Sequence, residues 1–275
     1  MLNLKTIFLR NFAIKTLEPG FITNSPKLEE IIASDDLIQH IFTGVFNGMN
    51  LKRLILNSNR IYFIEEGAFA NMNASWLGLT DNKLSRIQRN WFQNTFIRKL
   101  DLHYNQITSL DADIFGGIKN LSAINLNYNR ISWIDPKCFS NLTNLQELYL
   151  AGNGLKEMQF LGDLSVQTLD IGFNMINYLS LNENSTKIST ILFYPNPWSC
   201  ACLMEFWRYV WKNKIGLEAS KTLQEPLEIR SKPICVAVDD GQCSYKYYGL
   251  FTRIYLSLVN YKEYGAYRYD SYSEF

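Results

Sequence analysis

The 275-residue sequence predicts an α/β repeat solenoid, a stack of similar coils whose strands form one parallel sheet. Two segments carry the pattern most plainly: LHYNQI at 102–107 and LNYNRI at 126–131. Each sets an asparagine (Asn105, Asn129) between apolar residues, where an amide without partners costs free energy. Recurrence of such a segment at a fixed interval indicates a repeat architecture.

The repeat becomes clear when the chain is aligned on this asparagine, which yields the pattern L-x-x-L-x-L-x-x-N-x-L-x-x-L. Most copies start 23 or 24 residues after the one before, and nine starts are found, at Leu4, Leu28, Leu51, Ala74, Ile97, Leu121, Leu145, Val166 and Ile188. Apolar residues alternate with polar ones in the first half of each copy, which is typical of a strand with one buried face. One coil cannot bury that face alone, so we expect the coils to stack.

The pattern resembles the leucine-rich repeat family in its extracellular type, and the likeness extends from residue 4 to about 245. The resemblance implies a curved horseshoe with a parallel β-sheet on its concave side. It also implies a recognition role, since loosely similar proteins include insect secreted leucine-rich immune proteins, Slit-like proteins and Toll-type ectodomains.

The repeated asparagine is expected to be structural. It follows the strand, where backbone groups lose their ladder partners, and its amide offers both a donor and an acceptor. We therefore predict a ladder of stacked side chains at Asn59, Asn82, Asn105, Asn129, Asn153, Asn174 and Asn196. The first two coils carry Phe12 and Asp36 at this position, so the ladder is not expected to extend regularly to them.

A second column of residues is expected on the convex side, where a phenylalanine lies five residues after an apolar position. The column comprises Phe46, Phe69, Phe92, Phe115 and Phe139. The register is lost after Met158, which predicts a tighter and irregular outer wall in the last coils.

A cysteine-flanked cap is predicted at residues 196–245, after a solenoid at 1–195. The segment NPWSCACLMEFWRYVWKN resembles the C-terminal cap of extracellular leucine-rich repeat proteins, and Leu203, Phe206, Val210 and Trp211 fall near one face of a helix. By resemblance, Cys200 pairs with Cys235 and Cys202 with Cys243, although four cysteines permit three pairings. Four free cytosolic thiols or a zinc site are the alternatives, but the usual C-x₂₋₄-C spacing of a zinc site is not met. No metal or cofactor is expected.

The remaining segment, 246–275, is rich in tyrosine. Apolar residues spaced from Leu250 to Val259 predict a short amphipathic helix, followed by disorder.

The cap predicts a secreted, extracellular protein, because structural disulfides persist in oxidising compartments. Four N-x-[ST] sequons offer glycosylation sites at Asn73, Asn120, Asn141 and Asn184, about as many as chance supplies in a chain this rich in asparagine. The first residues do not form a secretory leader, so we expect an incomplete N-terminus; a cytosolic solenoid is the alternative. Cys138 is then either an inert, semi-buried thiol or the site of an intermolecular disulfide in a dimer.

Charge and hydropathy argue against two classes of partner. Lys+Arg number 27 against 26 for Asp+Glu, so no net charge attracts nucleic acid or an anionic membrane. No apolar run is long enough to be a transmembrane segment.

Catalysis has little support in the sequence. Of the two histidines, His40 is expected in a loop without a partner, and His103 shares an exposed strand face with Asp101, like a base and its orienter. The next coil places Asn125 and Asn127 beside them, so a nucleophile in register is missing. We therefore predict that the protein is not an enzyme.

A protein ligand on the concave sheet is the favoured hypothesis. From the fifth coil onward the outward positions become aromatic, amide and acidic, as interfaces favour. They comprise Asp101, His103, Tyr104, Asn125, Asn127, Tyr128, Tyr149, Asp170 and Phe173. In the alternative, Tyr104, Tyr128 and Phe173 only cover the edge of the asparagine ladder. The biological role is predicted as innate immune recognition, or else cell adhesion, axon guidance or matrix binding.

Overall fold

The computed structural model of the protein describes residues 3–22, 24–178, 187–194, 196–219 and 235–236. These residues form a solenoid of stacked coils around one continuous apolar core. The predicted Cys243, Asn184 and tyrosine-rich segment 246–275 lie outside the described residues.

The concave face is one parallel sheet, as predicted. We number ten of its strands in chain order: β1 (Thr6–Arg10), β2 (Glu30–Ser34), β3 (Asn50–Ile55), β4 (Asn73–Gly78), β5 (Thr95–Asp101), β6 (Ala123–Asn125), β7 (Glu147–Tyr149), β8 (Ser165–Asp170), β9 (Lys187–Tyr194) and β10 (Gly216–Ala219). Each strand pairs with the next, and a short strand at Ile118–Lys119 also pairs with β5. The predicted fold class is confirmed.

The last strand, β10, was not expected from the repeat. It follows the cap helix and pairs in parallel with β9, with Thr190 opposite Gly216. The sheet therefore continues one strand beyond the nine predicted repeats, because the cap returns the chain to the sheet.

The convex side carries short elements in place of regular helices. Two small parallel sheets join consecutive coils there, formed by Thr16–Leu17, His40–Ile41 and Phe63–Ile64, and by Ser109–Leu110 with Trp133–Ile134. Two 3₁₀ helices lie at Arg89–Phe92 and Gln159–Asp163.

The asparagine ladder has the same geometry in seven coils, as Asn129 illustrates. Its Oδ1 accepts the Ile107 N–H at 3.0 Å, and its Nδ2 donates to the Leu102 and Leu126 carbonyls at 3.0 and 3.1 Å. Each amide thus bridges its own coil and the one before. Corresponding bonds are made by Asn59, Asn82, Asn105, Asn153, Asn174 and Asn196.

Asp36 makes only half of these contacts. Its Oδ1 accepts the N–H groups of Phe12 and Ile14 at 2.8 and 3.2 Å. Its Oδ2 is buried and meets no hydrogen-bond partner among the described residues. The hydrogen bonds that the ladder side chains accept therefore extend to the first coil, whereas the hydrogen bonds that they donate do not.

Three neighbouring pairs of the phenylalanine column stack face to face, namely Phe46–Phe69, Phe69–Phe92 and Phe115–Phe139. The ring centroids of Phe46 and Phe69 lie 5.8 Å apart at 10°, and those of Phe115 and Phe139 lie 6.0 Å apart at 12°. The register is lost after Met158 as the sequence indicates, but the column of rings continues for one more coil, because Phe160 packs edge-on at 5.5 Å from Phe139. The 3₁₀ turn at Gln159–Asp163 brings Phe160 into the core although the spacing in sequence differs.

The cap helix α1 spans Cys200–Lys212 and begins where the Ser199 side chain accepts the Cys202 N–H. Its inner face buries Leu203, Phe206 and Val210, and Phe206 stacks on Trp198 with centroids 5.4 Å apart. Trp211 was predicted near this face but is 88% exposed, since it lies on the other side of the helix.

Candidate functional site

The predicted binding residues of the sheet lie side by side on its concave face. Strand register places Asp101 beside Asn125, Asn125 beside Tyr149, and Tyr149 beside Asp170. Adjacent strands are about 4.8 Å apart, so these positions form one row across β5 to β8.

Five of the nine predicted binding residues are buried, although the sequence suggested exposed positions. They are Asp101, Asn125, Asn127, Asp170 and Phe173, whose exposed fractions run from 1% to 8%. His103, Tyr104, Tyr128 and Tyr149 keep accessible surface. The binding role of all nine stays a prediction.

The four buried polar residues cap backbone groups at the ends of the strands. The Oδ1 atom of Asp101 accepts the N–H of His103 at 3.2 Å, and that of Asp170 accepts the N–H of Gly172 at 3.0 Å. Asn125 does the same for Asn127 at 3.1 Å. Asn127 reaches the next coil instead, accepting the Ala151 N–H at 2.7 Å. These side chains hold the chain as it leaves the sheet, which explains their burial.

The same arrangement includes Asn57, which sequence analysis missed. Its Oδ1 accepts the Thr80 N–H at 3.0 Å by crossing over Gly78. A Cβ on Gly78 would lie 2.7 Å from that oxygen, so glycine leaves space for the bond. The signal in sequence is an amide or carboxylate two residues before the ladder asparagine or four residues before it, as at Asn57 and Asp101.

His103 lies at the centre of the polar contacts. Its Nδ1 is 2.6 Å from Asp101 Oδ1, 3.2 Å from Thr80 Oγ1 and 3.4 Å from Asn125 Nδ2. Thr80 supplies a hydroxyl that sequence reasoning did not place there. The hydroxyl and the carboxylate meet the same nitrogen, however, whereas a catalytic relay needs them on opposite ring nitrogens. The arrangement orients His103 and does not activate Thr80.

An aromatic pair lies beside His103. Tyr104 and Tyr128 stack with ring centroids 4.8 Å apart at 10°. Both have positive φ values, near 54° and 53°, immediately before a ladder asparagine. In the next coil this position is Gly152, where a Cβ would meet the Tyr128 ring at 2.5 Å. The rings therefore cover the edge of the ladder and also present surface to solvent.

Tyr149 is the fourth accessible residue. Its hydroxyl donates to Glu147 Oε2 at 3.3 Å. Burial raises the pKa of Tyr149, and the nearby carboxylates of Glu147 and Asp170 raise it further. The phenol therefore stays neutral and can contribute hydrogen bonds as well as ring surface to a contact.

The other histidine has partners that the sequence did not reveal. His40 lies in the short strand His40–Ile41, not in a loop. Its ring stacks on Phe42 at 4.2 Å, and its Nε2 is 3.2 Å from Glu65 Oε1. It lies on the convex side, away from His103.

Among the described cysteines, some form disulfide bonds, and Cys138 is a free, buried thiol. Cys200 is bonded to Cys235, as predicted from the resemblance. Cys202 is also disulfide-bonded, and its predicted partner Cys243 lies outside the described residues. Cys138 is free and 2% exposed, and burial raises the pKa of its thiol. A dimer through Cys138 stays a prediction that this burial disfavours.

In the described part of the chain, His, Cys, Asp and Glu side chains form no cluster of three or more suited to a metal ion. None of its helices has the length and apolar character needed to cross a membrane.

Comparison with known proteins identifies the repeats. The leucine-rich repeat family profile matches residues 26–84 and 96–155. No curated protein sequence matches the chain.

Solved structures share the fold. Human 5T4 (Wnt-activated inhibitory factor 1, trophoblast glycoprotein) is 16% identical with a TM-score of 0.61, over 82% of this chain and 89% of its own. The APL1 leucine-rich repeat domain is 17% identical with a TM-score of 0.54, over 78% and 67%. TLR13, in a complex with ssRNA13, is 24% identical with a TM-score of 0.52, over 65% of this chain but only 28% of TLR13. The repeated part of this chain is thus a leucine-rich repeat solenoid.

Proposed function

We propose that the protein is a non-enzymatic, extracellular recognition module that binds a protein partner on its concave sheet. The surface consists of His103, Tyr104, Tyr128 and Tyr149, which we call the tyrosine patch. The observation that carries the proposal is the stacked Tyr104–Tyr128 pair, with rings 4.8 Å apart and partly accessible. Aromatic side chains with a polar end are the groups that dominate binding energy at interfaces.

Side chains of the tyrosine patch are held by contacts within the protein before any partner arrives. Asp101 fixes His103 through two contacts, and Gly152 lets the Tyr128 ring lie against its coil. Side chains that are already ordered lose less conformational entropy on association, which favours affinity. The buried caps thus support binding without themselves being accessible.

An extracellular location is supported by the cap. The Cys200–Cys235 bond closes a loop of 35 residues, and such structural bonds are rare in the reducing cytosol. The similar 5T4 is itself described as a glycoprotein. These observations favour the secreted alternative over a cytosolic solenoid.

The biological role is proposed as innate immune recognition. Similarity of fold to TLR13 and the APL1 domain favours it, together with the resemblance of the repeats to Toll-type ectodomains. Adhesion or matrix binding is the second candidate, and it is favoured by the 5T4 match, which covers most of both chains.

A protein partner is preferred over nucleic acid, although TLR13 was solved with ssRNA13. The carboxylate of Glu147 lies beside Tyr149, and the buried carboxylates of Asp101 and Asp170 lie next to His103 and Tyr149. A phosphate backbone would be repelled there, since nucleic-acid binding depends on Lys and Arg. We therefore expect single-stranded RNA not to compete with the partner.

The test begins with the secreted protein as bait in extracellular fluid and, separately, on cell membranes. A soluble partner supports the immune role, and a membrane-bound or matrix partner supports adhesion. The identified partner is then titrated against Tyr149→Ala and Tyr128→Ala, each expected to weaken Kd by roughly 5-fold or more.

The matched control is Trp133→Ala, which removes an aromatic that is 48% exposed on a convex-side strand. Its Kd should equal that of the unmodified protein. Equal losses of affinity for the control and the tyrosine variants would refute a concave site. So would unchanged affinity for both tyrosine variants.

A further inference from the structure

A second surface lies at the opposite edge of the concave sheet, where its strands begin. A groove of about 790 Å³ runs across β4 to β9 there. Its lining is rich in hydroxyl and amide groups, among them Ser75, Ser122, Gln146, Ser165 and Gln167. Such groups suit a neutral, hydroxylated ligand, because each offers both donors and acceptors.

Two of the predicted sequons open onto this groove, at Asn73 and Asn120. Asn73 is the first residue of β4, and its side chain is exposed together with that of Ser75, which completes the sequon. In the part of the chain that the structure describes, the side-chain amide of Asn73 makes no hydrogen bond, whereas its backbone N–H donates to the Met49 carbonyl at 2.8 Å. By contrast, the Asn141 amide donates to Asp113 Oδ1 at 2.9 Å.

An aromatic ring lies next to Asn73. Strand register pairs Asn73 with Phe96, which is 40% exposed and also lines the groove. On the other neighbouring strand, Lys119 is paired with Phe96 and places its Nζ 5.1 Å from the ring centroid. The strand carrying Phe96 thus lies between those of Asn73 and Lys119. A group attached to Asn73 is therefore within reach of apolar surface that water otherwise covers.

We propose that Asn73 carries an N-linked glycan whose first sugar packs on Phe96 and whose following sugars lie in the groove. The inference rests on the proposed extracellular route. The sugar donor is a polyprenyl-diphosphate oligosaccharide of the secretory pathway. Asn73 Nδ2 bonds to the sugar C1, the C1–O bond breaks, the diphosphate leaves with the electron pair, and Nδ2 loses one proton.

The glycan divides the concave face into a covered part and an open part. The glycan covers the edge where the strands begin and blocks protein partners there. The tyrosine patch lies at the other edge, where the strands end, and stays open. The partner is thereby directed to the tyrosine patch, which deepens the proposed function.

The experiment is a double-mutant cycle on protein secreted from eukaryotic cells. Phe96→Ala is compared in the unmodified background and in Asn73→Gln, and peptide mass spectrometry gives the occupancy of each sequon. We expect glycan at Asn73. We also expect Phe96→Ala to lower Tm by about 2 °C when the glycan is present and by less than half as much in Asn73→Gln.

Two controls make the result specific. Asn141→Gln should leave the effect of Phe96→Ala unchanged, and Trp133→Ala should show no coupling to Asn73→Gln. Equal Tm losses in both backgrounds, or an unmodified Asn73, overturn the inference. Disulfide mapping separates the two failures: an unmodified Asn73 with Cys200 bonded to Cys235 leaves the extracellular assignment standing, whereas free thiols remove it as well.

Discussion

At Asp36, replacing one carboxylate oxygen by an NH₂ group is expected to complete the asparagine ladder. Its Oδ1 accepts two backbone N–H groups, and within the described ranges of the chain its buried Oδ2 has no partner. In the next coil, Asn59 Nδ2 donates to the Ala33 carbonyl at 2.7 Å and to the Leu56 carbonyl at 3.1 Å. By the same register, Asp36 presents an oxygen where the ladder needs an N–H.

Asp36→Asn should therefore stabilise the protein. An unsatisfied buried polar group costs about 1–3 kcal/mol, and the substitution supplies the missing donor without changing size. For a chain of this length, each kcal/mol raises Tm by roughly 2 °C or more. Denaturant unfolding gives the global effect. Hydrogen exchange at the amides of Phe12 and Ile14 gives the local one, and both amides should become better protected.

Two variants test the reasoning. Asp35→Asn removes the same charge at the neighbouring residue, whose carboxylate is 29% exposed and pairs with Arg10. This exposed pair contributes at most about 1 kcal/mol, so the variant should be neutral or slightly destabilising. Asn59→Asp reverses the change and should destabilise by roughly 1–3 kcal/mol. If Asp36→Asn and Asp35→Asn change the free energy of unfolding by the same amount and in the same direction, the argument is refuted.

The remaining predictions concern the ladder, the cap and Tyr149. Asn129→Leu should lower the free energy of unfolding by about 1–3 kcal/mol, because its backbone partners lose their bonds, whereas Asn47→Leu on the surface should change it little; equal losses in denaturant melts would contradict the ladder. Cys200→Ser should cost about 3–4 kcal/mol from the 35-residue loop, and Cys138→Ala much less, measured by thermal unfolding; a bonded Cys200 that contributes nothing to Tm would contradict this. Burial raises the pKa of Tyr149 above its ordinary 10.0, so its contribution to stability is full below pH 10 and is lost as pH rises further. Tyr149→Phe should reduce the fall of Tm in alkaline buffer, and an identical pH profile would exclude the effect.

The repeated features of the fold were predictable from sequence, and the features that occur once were not. Each ladder asparagine, such as Asn129, has the same neighbours in every coil, so the alignment of copies predicts its environment. Phe160 enters the core through the 3₁₀ turn at Gln159–Asp163 at a spacing that no other coil shares, and β10 arises where the cap returns to the sheet. Such features depend on contacts between distant segments, which the period of the pattern does not encode.

In the candidate site, side-chain packing also limits what the sequence can predict. Alternation along a strand predicts which side chains point away from the core, and Asp170 and Tyr149 both do so. It does not predict whether an outward side chain folds back onto the backbone. Asp170 does, because the N–H of Gly172 leaves the sheet within reach of its short carboxylate.

Tyr149 cannot make that contact, since its hydroxyl stands at the end of a long ring and meets Glu147 instead. The length of the side chain therefore separates the two roles. Short amides and carboxylates near the strand ends hold the coil, and longer aromatic side chains are left to meet a partner. On the concave face, the backbone caps are Asn57, Asp101, Asn125, Asn127 and Asp170, and these side chains are committed to the coil. The surface that remains in coils five to seven is the tyrosine patch, which is smaller than the sequence predicted but is held by contacts within the protein.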